Sequence, residues 1–330
     1  MSNLSPQIQA KIKNCQEKQL KKLDLRKYDY ESQCNLTKIP TEIVELEHLE
    51  VLNLYYFDIE SIPESIANLV NLTELNLKHN KLTTLPESLG RLADLVKLDL
   101  TGNELTTLPE SFGDLANLTE LNLGNNKLTT LPESFGNLIN LTKLNLENNQ
   151  LATLPEFFGN LTNLTKLDVK DNWHGRKTLA NLPESFGNLI NLTKLDLRRN
   201  DLTSLPESFG NLTNLTELGL TDNLLTSLPE SLGNLSNLTM LNLTGNRLNY
   251  LPESLGRLTN LVRLYLGYNQ LTSLPESLGN LTYLTKLNLE NNQLTSIPES
   301  LGDLTYLSQI NLKENQLTNL PESINHKIKS

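Results

Sequence analysis

Asp168 and Asp171 are the residue types that general acid–base chemistry uses, set three apart. Their setting argues against that use. The flanking apolar residues alternate as in a strand, and carboxylates on an open strand face stay hydrated with ordinary pKa values. The four histidines, His48, His79, His174 and His326, are scattered, and none has a partner at metal-ligand spacing. Cys15 and Cys34 are the only cysteines and fit neither a metal site nor a thiol–histidine pair. A phosphate-cradling G-x-x-x-x-G-K run does not occur. The expectation is a chain without a catalytic set, metal or cofactor, and so not an enzyme.

Recognition chemistry is better represented. Lys143, Lys166, Lys170, Lys194, Arg198 and Arg199, with Arg176 and Lys177, set eight bases against the five acids Glu147, Asp168, Asp171, Asp196 and Asp201. That local excess of three stands out in a chain of net charge −10. Trp173, the single tryptophan, lies among these bases, and Trp and Arg are enriched at the centres of protein interfaces. Tyr265 and Tyr268 form a second candidate contact. The competing reading is a solvated face whose charges pair across strands, and such pairs contribute little.

The elements that position these residues come from one recurring stretch, typified by Leu118–Asn140, LTELNLGNNKLTTLPESFGNLIN. Leu118, Leu121 and Leu123 alternate with polar residues in the manner of a half-buried strand. Pro132 suits the first position of a short helical turn, Glu133 the positive end of its dipole, and Gly136 a left-handed close. Thirteen copies start at leucines from Leu20 to Leu307, mostly twenty-three residues apart. An asparagine recurs at the ninth position from Asn80 through Asn126 to Asn315, where a buried amide can both donate to and accept from neighbouring coils. A single copy cannot bury its apolar residues, so stacking is required.

The pattern L-x-x-L-x-L-x-x-N-x-L resembles the leucine-rich repeat family over about nine-tenths of the chain. The LPESLGNLTNL half is similar to the Ras-suppressor and plant intracellular type, and to the arrays that precede Roc-COR GTPase modules. The resemblance implies an α/β fold: a right-handed horseshoe solenoid, with a parallel β-sheet on the concave face and short helical turns on the convex face. It also implies a scaffold or regulator in signalling that binds a protein partner.

In chain order, residues 1–19 form an amphipathic cap, with Ile8, Ile12 and Cys15 on one face. Residues 20–324 are the repeats, read as one solenoid domain, and 325–330 a tail. Tyr28, Tyr30, Tyr55 and Tyr56 make an aromatic group whose simplest role is cap packing. Cys34, at the ladder position of the first repeat, reads as a reduced structural thiol. Phe112, Phe135, Phe158, Phe186 and Phe209 fall at a core position of the turn. Five extra residues after Asn172 place Trp173, Arg176 and Lys177 beside the strand ends, and Lys143, Lys166 and Lys194 in one column. On the proposed concave positions these predict a partner-binding surface. The alternatives are a small-ligand or carbohydrate sensor built on the insertion, and self-assembly.

The acidic balance argues against nucleic acid or an anionic membrane as partner. The polar first twenty residues lack a signal-peptide apolar run, so a cytoplasmic monomer is expected. The weakly capped C-terminal edge near Ile324 and Ile328 is the one route to self-association.

Overall fold

The computed structural model describes residues 4–26, 36–172 and 178–325. The chain forms two compact units, residues 1–151 and 152–330. The first holds helix α1 (Pro6–Glu17), a short helix α2 (Thr41–Val44) and six strands: β1 (Lys22–Arg26), β2 (Val51–Tyr55), β3 (Glu74–Asn76), β4 (Lys97–Asp99), β5 (Glu120–Asn122) and β6 (Lys143–Asn145). The second holds seven: β7 (Lys166–Asp168), β8 (Lys194–Asp196), β9 (Glu217–Gly219), β10 (Met240–Asn242), β11 (Arg263–Tyr265), β12 (Lys286–Asn288) and β13 (Gln309–Asn311), followed by helix α3 (Glu322–Asn325). Within each unit, strands are parallel and ordered as in the sequence, with equivalent residues in register. This is the leucine-rich-repeat solenoid that the sequence predicts.

Alternation sets the strand faces. In β5 the central Leu121 is buried, while Glu120 and Asn122 remain partly exposed. Beyond the strand, Leu118, Leu123, Leu128, Phe135 and Leu138 are fully buried. The ninth-position asparagines knit the coils together. Asn126 Nδ2 donates to Leu100 O and Leu123 O, both at 3.0 Å, and its Oδ1 accepts from Leu105 N–H at 3.1 Å. The phenylalanines stack as expected in the core, with ring planes nearly parallel: Phe112 on Phe135 at 6.2 Å, and Phe186 on Phe209 at 6.1 Å.

The turns depart from expectation in two ways. Between α2 and α3 each is a 3-10 helix, such as Glu133–Asn137, and Pro132 is its N-cap, with φ −67 and ψ 156, not its first helical residue. Extended backbone at the proline lets the next residue, Glu133, begin the turn. The acids also cap a neighbour: Glu87 Oε2 accepts from Ser111 N–H, one repeat further on, at 3.1 Å. The turn glycines are not left-handed; among the described glycines only Gly102 and Gly245 have positive φ. Their role is closeness. A Cβ on Gly113 would lie 2.2 Å from Ser134 O, and Gly90, Gly210 and Gly256 meet the following serine in the same way.

At the start, Ser5 Oγ accepts from Ile8 N–H at 3.3 Å, and α1 buries Ile8, Ile12 and Cys15. Burial pushes the Cys15 thiol above its ordinary pKa, and it donates to Leu20 O at 3.2 Å. Leu20 itself is exposed; its N–H closes α1 on Cys15 O, so the buried frame of the first repeat begins at Leu23. Cys34, Tyr28 and Tyr30 lie outside the described residues.

Gly113→Ala is expected to destabilise the fold by about 1–3 kcal/mol, because the backbone of the next turn must move to admit a methyl group. Urea titration followed by circular dichroism measures it. An unchanged midpoint would show that the turns are not closely apposed.

Candidate interaction surface

The described basic candidates of the second unit, Lys166, Lys170, Lys194, Arg198 and Arg199, stand on β7 and β8 and on the loop just past each strand. Register sets Lys166 beside Lys194 and Asp168 beside Asp196. The loop geometry follows from two positions in the repeat that sequence reasoning assigned only to the concave surface.

At the fifth position, an Asn or Asp oxygen accepts the backbone N–H two residues on. Asp168 Oδ1 receives Lys170 N–H at 3.1 Å, Asp196 Oδ1 receives Arg198 N–H at 3.1 Å, and Asn145 Oδ1 receives Glu147 N–H at 2.8 Å. These are side-chain-closed turns, which only Asn and Asp make well. The eighth position is left-handed. It is held by Asn125, Asn148, Asp171, Asp222 and Asn291, and by Gly102 and Gly245, the types that tolerate positive φ. The recurrence of Asx at both positions was the available signal.

Of these five bases, all but Lys166 are tied to a described acid. Lys170 Nζ meets Asp168 Oδ2 at 2.9 Å, and Lys194 meets Glu217 at 2.8 Å. Arg198 closes a fork on Asp196, with Nε at 2.8 Å from Oδ1 and Nη2 at 2.5 Å from Oδ2. Arg199 lies between Asp171 at 3.5 Å and Asp222 at 3.8 Å. Lys166 has no ion pair among the described residues. In the first unit, Lys143 pairs with Glu120 at 2.8 Å. Glu217 and Glu120 were missed from the sequence because they sit one strand away at the third position. Trp173, Arg176 and Lys177 lie outside the described residues.

Asp168 departs from the expected ordinary pKa. Burial pushes its carboxyl up; the hydrogen bonds from Lys170 oppose this, and the neighbouring Asp196 charge adds to it. An open sheet does not keep this residue hydrated, because the fifth-position side chain folds down onto its own loop.

Between Arg198 and the tyrosines the surface thins. Gly219 replaces the fifth-position Asx in β9, and the Arg198 side chain lies across it: a Cβ there would be 3.2 Å from Arg198 Cγ. In register follow Asn242 and then Tyr265, which also replaces an Asx. Gly245 and Gly267 floor the adjoining loops. Arg198 and Tyr265 are three strand steps apart, about 14 Å at the usual spacing. The two candidate contacts thus border one shallow floor. Tyr268 is 52% exposed at φ 56, and Arg199 has φ 52. Both are bulky residues in a conformation that seven other repeats give to Asn, Asp or Gly and three to Tyr56, His79 and Glu314.

The first unit has a smaller version. Tyr56 (φ 62) and His79 (φ 54) occupy eighth positions, and their rings and that of Tyr55 lie 5.7 Å apart pairwise. Gly102 makes room for His79, since a Cβ would fall 2.4 Å from Nδ1. Among the described residues, no three His, Cys, Asp or Glu converge as metal ligands, and no helix is long and apolar enough to cross a membrane.

The family model for the leucine-rich repeat region matches residues 66–178 and 210–316, and a second leucine-rich-repeat model matches 18–82 and 182–225. No curated protein matches the chain. Among solved structures, the chain is similar to a leucine-rich-repeat protein of Leptospira interrogans, at 34% identity and TM-score 0.82, covering 94% of this chain and 83% of that one. It is also similar to an internalin of Listeria monocytogenes, at 26% identity and TM-score 0.77, covering 98% and 92%. Drosophila Toll, in its complex with Spatzle, matches at 32% identity and TM-score 0.73 over 86% of this chain and 38% of that one.

The raised Asp168 pKa sets a pH dependence. The folded state holds this proton to higher pH than the unfolded chain, so stability falls as pH rises between the unfolded and folded pKa values. Asp168→Asn keeps the oxygen that closes the loop and removes the charge. The variant should melt above wild type at neutral pH, and the difference should close as pH falls below the ordinary Asp range. Parallel melting profiles against pH would show that the carboxylate is not desolvated.

Proposed function

The chain belongs to the leucine-rich repeat family, and we propose that it is a non-catalytic protein-interaction module that docks a protein partner on its sheet face. The observation that carries this reading is local departure from the chain's own repeat. From Arg198 to Tyr268 the Asx rule lapses twice, glycines bare the backbone, and bulky side chains are held at positive φ. Strain of that kind costs about 1–3 kcal/mol per residue, and it concentrates at functional positions. No other repeat lacks Asn or Asp at the fifth position, whereas bulky residues also hold the eighth position at Tyr56, His79 and Glu314, so the fifth-position lapses are what single out this stretch.

The face is preformed, so docking needs little ordering on this side. Arg199 and Tyr268 supply the side-chain types that dominate interface energies. Lys166 adds an unneutralised charge, with Lys170, Lys194 and Arg198 around it. Trp173, Arg176 and Lys177 belong to the same proposed contact by their place in the sequence. The Toll–Spatzle complex supports a protein ligand as partner. The setting we propose is a cytoplasmic signalling scaffold, and the concave side of the repeats its docking face.

Tyr268→Asn should raise stability by about 1 kcal/mol, because Asn accepts the left-handed conformation more readily. The same variant, and separately Lys166→Glu, should lose a protein that wild type retains from a lysate of the source organism. Retention unchanged in both would remove this surface from consideration.

A further inference from the structure

We infer that the outer edge of β13 is a self-association surface, and that its occupant is a second copy of this chain related by a two-fold axis. The inference stands apart from the docking surface above and uses none of its residues.

Elsewhere, each repeat passes its outward backbone donors to the next. Leu289 N–H bonds Asn311 O at 2.8 Å, Asn291 N–H bonds Lys313 O at 2.9 Å, and Leu294 N–H bonds Asn315 Oδ1 at 3.1 Å. The equivalent donors of the last repeat are those of Leu312, Glu314 and Leu317, which have no acceptor among the described residues. The apolar frame is open at the same place. Leu289 and Leu294 are fully buried and Ile297 nearly so, whereas Leu312 and Leu317 are only half-buried and Leu320 is exposed. Helix α3 tucks Ile324 away but leaves these three uncovered.

A second observation on this end is independent of the edge. The residue before each repeat's first leucine is usually Asn, which ties its coil to the preceding one: Asn237 donates to Thr213 O at 2.9 Å and Asn260 to Ser236 O at 2.8 Å. In the last two repeats that asparagine is replaced by Tyr283 and Tyr306. Their rings stack at 6.1 Å and 17° yet remain 56% and 60% exposed. Two coil-linking hydrogen bonds have been exchanged for a solvent-facing aromatic shelf beside the open coil.

Three features select a second copy. The first strand, β1, is covered by α1, so a further chain cannot add head to tail and the uncovered edge is left to meet its own like. The outward donors of Leu312 and Glu314 fall at alternate residues, as on any strand edge, and a copy turned by the two-fold meets them antiparallel. Lys313 and Glu314 cancel, so two edges can meet without the repulsion expected of chains carrying −10 each. The two-fold also sets Leu312, Leu317 and Leu320 against their own counterparts, giving the contact an apolar centre.

The test is the mass of the 330-residue chain in solution, by sedimentation equilibrium over a dilution series, for wild type, Leu317→Lys and Tyr306→Asn. Wild type should move from one chain to two with concentration and stop there. Leu317→Lys should stay at one chain. Tyr306→Asn, which restores the residue the other repeats carry and so preserves the fold, should weaken association at least several-fold without lowering the melting temperature. A wild type that stays at one chain throughout, masses growing beyond two, or association that survives both substitutions would each overturn the inference.

Discussion

Each coil leaves backbone groups that it cannot pair, and the buried asparagine of the next coil takes them. Asn126 alone satisfies two carbonyls and one N–H, each of which would cost about 1–3 kcal/mol if left unmet in the core. This relay fixes the step between coils, and the rest follows from it: strands in register, phenylalanines ring on ring, glycines against serines. Where the frame slips after Asn172, the relay bends without breaking. Asn200 Oδ1 turns to Asn172 N–H at 3.2 Å, Leu179 N–H takes Asn172 O at 3.2 Å, and Asn200 Nδ2 still reaches Val169 O at 3.1 Å.

The period, the ladder asparagines, the core phenylalanines and the N-terminal cap were all legible in the sequence, because each is decided by hydrophobic spacing or by a residue with few other uses. Less legible was anything that depends on which neighbour a residue meets. Gly113 reads as a helix terminator when considered alone, and only the position of Ser134 shows that it is a gap left for another turn. Glu87 reads as a cap for its own turn, yet its carboxylate serves the next one. A single repeat contains no statement of how far away the following repeat lies.

The candidate surface shows the same division. The third-position lysines could be placed in a column by counting, but their partners across the strands required the register. Asp168 looked like a solvated acid because strand periodicity says that it points outward. It does, and then it folds back to close its loop, which withdraws it from water. The left-handed backbone of the eighth position went unread because Tyr268 and Arg199, like Tyr56, His79 and Glu314, are poor markers of it, and they depart from the Asn, Asp or Gly that seven repeats carry there.

Identical contacts between successive coils also bear on how such a chain can change length. A block of twenty-three residues arrives with its own asparagine, glycine and phenylalanine, and presents at its far side the same surface it covers at its near side. Unequal recombination between neighbouring stretches of coding DNA can therefore add or delete whole blocks and leave every remaining coil with a complete set of neighbours. Copy number becomes an almost neutral variable, and reach can be altered without inventing a new interior.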